Sequence, residues 1–341
     1  MIHLRIVAPP ETVAAALESL AASRAVINII HLPGVATRPD GDVIMCDVAR
    51  EDASVVIDDL RALHIDRDGS IAMEHVDSSV SHAAERAERE AEGAAADAVV
   101  WEDVAAKTSE SAELSAAFLI FMALATLIAS VGIYLDSAIL VVGAMVVGPE
   151  FGAVAGFCVG VVQRRGKLAR ASGLALLVGF PLGIAAVVIS SLLFKATGIT
   201  PREFSEADHG LSATIASPDF FAFFVAFCAG IAGMLSLTTA KSGALIGVFI
   251  SVTTIPASAN IGIAVAYADG SAFRGSLGQL LINLASLLVA GILTLFVQRE
   301  LYARRRRYHR RAQARVRAGE ERSPPPGAPE PSEPPAPAPQ A

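Results

Sequence analysis

Glu150 is the residue best placed to do chemistry, because it stands inside residues 139–162, ILVVGAMVVGPEFGAVAGFCVGVV, where every neighbour is apolar or small. An ionised carboxylate buried in hydrocarbon costs on the order of 2.5 kcal/mol or more unless it is paired. Such a group is protonated, paired or set in a wet cavity. It can bind a cation, relay a proton or make a structural hydrogen bond as the neutral acid, and the sequence leaves these readings open. Pro149 precedes it, and a second apolar run at 243–268, GALIGVFISVTTIPASANIGIAVAYA, carries Pro256. A proline in mid-helix removes one backbone hydrogen bond and clashes with the preceding turn. In a bilayer the freed carbonyl then needs another partner. Gly148 and Gly152 flank the first break, and Thr253, Thr254, Ser258 and Asn260 flank the second. These hydroxyls and amides satisfy freed backbone or bind a ligand. Gln279 and Asn283 add polar groups in the last apolar run, where an Asn often serves only as glue between helices. Lys241 reads as a side chain that snorkels to water. The candidate set for a small solute or ion is therefore Gly148, Pro149, Glu150, Thr253, Thr254, Pro256, Ser258, Asn260 and Asn283.

These residues need a membrane domain to position them. Of the 341 residues, 53% are hydrophobic, and the apolar ones concentrate between about Leu114 and Val297. A span takes roughly twenty apolar residues. Six fit, at 114–134, 138–162, 171–194, 219–239, 242–267 and 276–298. Arg164, Arg165, Lys167 and Arg170 lie between the second and third, and Arg299, Arg304 to Arg307, Arg310 and Arg311 follow the sixth. The positive-inside rule puts both stretches in the cytoplasm, and with six spans both termini follow. Setting Pro149 over Pro256, a shift of 107 residues, brings the first span over the fourth and the Asp136-Ser137 turn over the Lys241-Gly243 turn without a gap. Three spans is an odd number, so the halves would be inverted, and interrupted helices at matching places in inverted halves point to a transporter site. Close-packed, kinked helices rich in Gly and Ala are the competing explanation.

The rest of the chain is polar. Residues 1–80 read as strand, helix, strand, strand, helix, strand, at 2–8, 11–22, 26–32, 42–49, 51–63 and 70–76 with the helices second and fifth. That order is the ferredoxin-like split βαβ pattern. Pro33-Gly34 is read as the turn that ends the second strand. From Met1 to Ser111 there are 21 acidic and 9 basic residues, a net of −12, which disfavours nucleic acid and anionic lipid as partners. His3, His31, His64 and His75 show no metal-ligand spacing, and Cys46, Cys158 and Cys228 suggest neither a disulfide framework nor a metal cluster. No cofactor is implied. Residues 81–112 form a charged helical linker with a short interfacial helix, Trp101 serving as its headgroup anchor. Residues 299–322 form a basic juxtamembrane segment, and 323–341 are a Pro-rich tail expected to be disordered. The first residues lack the pattern of a cleavable signal peptide.

The order of motifs resembles the bacterial membrane family known as domain of unknown function 389. The resemblance rests on Asp136-Ser137, Gly143-Ala144-Met145 and Pro149 in the second span, on Gly247, Pro256 and Asn260-Ile261-Gly262 later, and on Asn283 in the last, covering about 1–298. It implies a small α+β domain ahead of a hydrophobic domain of several spans, in a bacterial inner membrane. Here the first break reads Gly-Pro-Glu-Phe-Gly and the second has a single proline, so no role for Glu150 is inherited. The sequence thus points to a transporter or channel for a small solute or ion with a regulatory N-terminal domain. A membrane sensor or scaffold is the alternative. An enzyme is not expected, since paired acids, a His cluster and a Ser-His arrangement are all missing from the spans. The bilayer, the unknown solute or ion and a second copy of the chain are the candidate partners.

Overall fold

The computed structural model describes residues 1–76, 81–90, 98–200, 210–217, 219–239 and 253–317. Lys241, Gly247, the first half of the span read at 242–267 and the tail at 323–341 lie outside the described residues.

Four strands, β1 (Ile2–Ala8), β2 (Val26–Thr37), β3 (Asp40–Val48) and β4 (Ser70–His75), form one sheet in the order β2-β3-β1-β4, with every pair antiparallel. Helices α1 (Pro10–Ala21) and α2 (Ala53–Ala62) and the short α3 (Ile65–Asp68) complete the unit. The pairing Ile2↔Val48, Leu4↔Cys46 and Ile6↔Ile44 places these alternate side chains on one face. Val13, Ala16, Leu20, Val56, Ile57 and Leu60 share their buried cluster. Burial pushes the Cys46 thiol up to about 12, so it behaves as an inert core group. Strand β2 does not stop at Leu32. It runs on to Thr37, with register shifts between Ile27 and Ile30 and between Leu32 and Ala36. At the sheet edge the missing N–H of Pro33 is tolerated, and Gly34 takes φ +61° there, so the dipeptide bends the strand without ending it.

Helix α4 (His82–Glu90) and helix α5 (Trp101–Ser111) lead to the apolar part. Trp101 is not a lipid anchor: it is buried, edge-on to Tyr302, and α5 packs against a membrane helix instead of lying free at the interface. Helices α6 (Ala116–Tyr134), α9 (Gly166–Thr197), α11 (Phe220–Thr238) and α13 (Gly270–Arg317) include segments long and apolar enough to cross a membrane. Between them lie α7 (Ala138–Val147), α8 (Glu150–Val162), the short α10 (Gly210–Ile215) and α12 (Thr254–Tyr267). The pair α7 and α8 is bent by 46° and counts as a fifth span if taken together. Four to five spans are thus present among the described residues, where the sequence suggested six, and these long apolar helices point to a multi-pass membrane protein. The difference lies in the span broken at 148–149 and in the span read at 242–267, which is described only from Thr253 onward.

Small residues set the packing. Helix α12 lies on α9, where a Cβ on Gly262 would meet Val187 Cβ at 2.6 Å, and α11 lies on α13, where one on Gly230 would meet Ala290 Cβ at 2.8 Å. Backbones approach this closely only without side chains between them.

Candidate functional site

Pro149 and Pro256 start helices rather than kink them. Pro149 is the N-cap of α8, and Pro256 is the third residue of α12. In a first turn the missing N–H costs no intrahelical bond. The expectation of mid-helix prolines is corrected accordingly. On the α7 side the break has a consequence: Pro149 cannot donate to the carbonyl of Met145, four residues earlier.

The two helix starts meet. Glu150, the first residue of α8, is 5% exposed, and its Oε1 accepts a 2.9 Å hydrogen bond from Thr254 Oγ1, the first residue of α12. Gly148 fits the junction closely, because a Cβ there would run into Glu150 Oε2 and come within 2.8 Å of Ile255 Cγ1, so one or both side chains would have to shift. Beside Thr254, Thr253 Oγ1 accepts from Asn283 Nδ2 at 2.6 Å and from Gln279 Nε2 at 3.4 Å, both on α13. Gln279 Nε2 also reaches Asn283 Oδ1 at 3.4 Å. Two buried side-chain oxygens in this cluster, Glu150 Oε2 and Gln279 Oε1, have no hydrogen-bond partner among the described residues.

Ser258 and Asn260 do not join this cluster. Ser258 Oγ donates back to the Thr254 carbonyl of its own helix at 2.8 Å. Asn260 belongs to a second buried cluster: Oδ1 accepts from Ser212 Oγ at 2.9 Å, and Nδ2 donates to Ser276 Oγ at 2.8 Å. Ser212 and Ser276 carried no signal in the sequence. Gln279 did, standing four residues before Asn283 and so on the same face of one helix.

The soluble unit is tied to this region through α5. A Cβ on Gly152 would lie 2.7 Å from Ser111 Cβ, and one on Gly156 would lie 2.7 Å from Ala112 Cβ, so α5 and the residue after it rest on α8. At the other end of α5, Glu102 accepts from Ser54 Oγ and Arg61, each at 2.6 Å. Tyr302 of α13 donates to Asp58 of α2 at 2.9 Å, and Arg299 donates to the Val162 carbonyl at the end of α8. Three of the four histidines of the soluble unit pair with acids, His3 with Asp47, His31 with Asp42 and His75 with Asp103, and no group of three potential metal ligands occurs among the described residues. The Gly34 N–H and then His31 hold the Asp42 carboxyl below its usual range.

Residues 145–289 match the family model described as Domain of unknown function (DUF389). The match starts inside the second span, so it covers every candidate site residue but neither the soluble unit nor α6, a narrower reach than the motif order suggested. No curated protein and no solved structure matches the chain.

Proposed function

We propose that this chain, whose residues 145–289 carry a DUF389 domain, is a transporter or channel for a small solute or ion, with its site where α8 and α12 begin. The observation that carries this reading is Glu150, buried and bonded across two interrupted spans to Thr254. Discontinuous helices whose ends meet at buried polar groups are the usual build of a transporter site. The pair α7-α8 lies between the long helices α6 and α9, and α12 lies between the long helices α11 and α13, which supports the inverted 3+3 reading. The sheet order β2-β3-β1-β4 supports the ferredoxin-like reading of residues 1–80. Its contacts through α5 to α8 give that domain a route to regulate the site. The basic residues at 164–170 and 299–311 support a bacterial inner membrane protein with both termini in the cytoplasm. Single cysteines placed at 198–217 should then react with an impermeant reagent in intact cells.

A sensor or scaffold is the second reading, favoured by the tight docking of the soluble unit on α5 and α13. Flux separates the two. The full chain in lipid vesicles is tested against a panel of small ions and neutral solutes, read by potential and pH dyes and by light scattering. Flux of at least one member above protein-free vesicles, lost in Glu150→Gln, is expected for a transporter. A folded, correctly inserted chain that moves none of them favours the sensor.

A further inference from the structure

We infer that the meeting point of α8 and α12 holds one monovalent cation, an alkali metal ion, between the Glu150 carboxylate and the Gln279 amide oxygen. The inference deepens the transport reading and takes its site from it. Five polar side chains gather there, and their hydrogen bonds leave two buried oxygens without a partner among the described residues. Thr254 donates to Glu150 Oε1, and Asn283 and Gln279 donate to Thr253. Asn283 Oδ1 takes its donor from Gln279 Nε2, which sets the orientation of that amide. What remains unpartnered among the described residues is Glu150 Oε2 and Gln279 Oε1, each on a residue 5% exposed, and both atoms are acceptors. They belong to residues bonded to the consecutive Thr254 and Thr253, so they flank one helix start. Buried acceptors without donors call for a positive partner.

Charge and ligand type choose that partner. Divalent ions of the calcium class take several carboxylates and other oxygens. Here a single carboxylate stands among neutral oxygens, and no group of three His, Cys, Asp or Glu is present among the described residues. One carboxylate balances one unit of positive charge. The end charges of α7 and α8, roughly half a unit each and of opposite sign, offset at the break, and the start of α12 adds roughly half a positive unit, less than the carboxylate carries. Oxygen donors without thiolate or imidazole suit a hard cation. Gly148 lets Glu150 Oε2 lie close against the break, since a Cβ at that position would run into this oxygen.

The test is equilibrium binding of radioactive sodium to the full chain purified in detergent, with potassium, choline and protons as competitors. Saturable sodium binding at alkaline pH is expected, displaced by potassium and by acid but not by choline. Glu150→Gln should weaken it by roughly tenfold or more. Gln279→Leu should weaken it less, and should also unfold somewhat more easily in choline chloride because its bonds to Thr253 and Asn283 are lost. A folded wild-type chain that binds neither sodium nor potassium overturns the inference, as does binding that survives in Glu150→Gln. Unfolding that responds to pH alone, with no difference between sodium and choline, also overturns it and leaves a proton as the occupant. Solute flux without cation binding would remove this inference and keep the transport reading. Cation binding without any flux would do the reverse.

Discussion

Two polar clusters are buried among the membrane helices, and they are built from similar residues. Around Asn260, the carbonyl oxygen accepts a hydrogen bond from Ser212 and the amide nitrogen donates to Ser276, so α10, α12 and α13 are stitched together with both side-chain groups of the amide used. Around Glu150, three chain segments also meet, yet two acceptors are left over among the described residues. The number of polar groups does not separate structural glue from a ligand site. The balance of donors and acceptors does, because an unmatched buried group persists only where something else completes it.

That contrast can be broken most sharply at Glu150. Glu150→Gln keeps size and the contact with Thr254 but removes the charge, so ion binding or flux should fall by roughly tenfold or more while the unfolding temperature holds. Equal loss of stability and of flux would place Glu150 with the glue. Gly148→Ala should act in the same direction with a smaller effect. Its methyl group would occupy the space beside Glu150 Oε2, and that side chain must swing away. Weakened binding with normal insertion is expected, and unchanged binding would show that the space is not used. Asn260→Ala should do the opposite. Interhelical hydrogen bonds of this kind contribute on the order of 0.6 to 1.7 kcal/mol, so the variant should unfold more easily in detergent titrations yet keep its flux.

The smallest effect lies in the soluble unit. The folded state holds the Asp42 carboxyl low, so its contribution to stability is present above the ordinary value of 3.8 and is lost as the pH falls through the folded value. Asp42→Asn should therefore flatten the acid limb of the unfolding curve slightly and leave neutral pH almost untouched. A change at neutral pH that reached flux would mean that the edge strand communicates with the membrane helices.

Much of the site was legible because its signals are local. A carboxylate and a proline in an apolar run stand out without knowledge of any contact, and Glu150, Pro149 and Pro256 were found that way. What the prolines do was not legible. Whether Pro kinks a helix or opens one depends on where the helix starts, and both turned out to sit in first turns. Partner choice also needed the fold. Ser258 lies one turn after Thr254 and bonds back to it, and Asn260 lies roughly 9 Å further along the helix than Thr254, out of reach of Glu150. Thr254 alone closes the bond. The strand and helix order of the soluble unit was readable from alternation and turn residues, except that Pro33-Gly34 bends β2 at a sheet edge, a position no local pattern reveals. The docking of α5 on α8 rests on Gly152 and Gly156 facing Ser111 and Ala112, contacts between segments some forty residues apart.

The most direct test of the claim that Glu150 is the unmatched, ligand-taking group is difference infrared spectroscopy of the full chain in lipid while choline is exchanged for sodium. The carboxyl bands should change on exchange, and that change should vanish in Glu150→Gln and persist in Asn260→Ala. Carboxyl bands that do not respond to sodium in the wild-type chain, or a response that survives in Glu150→Gln, would contradict it.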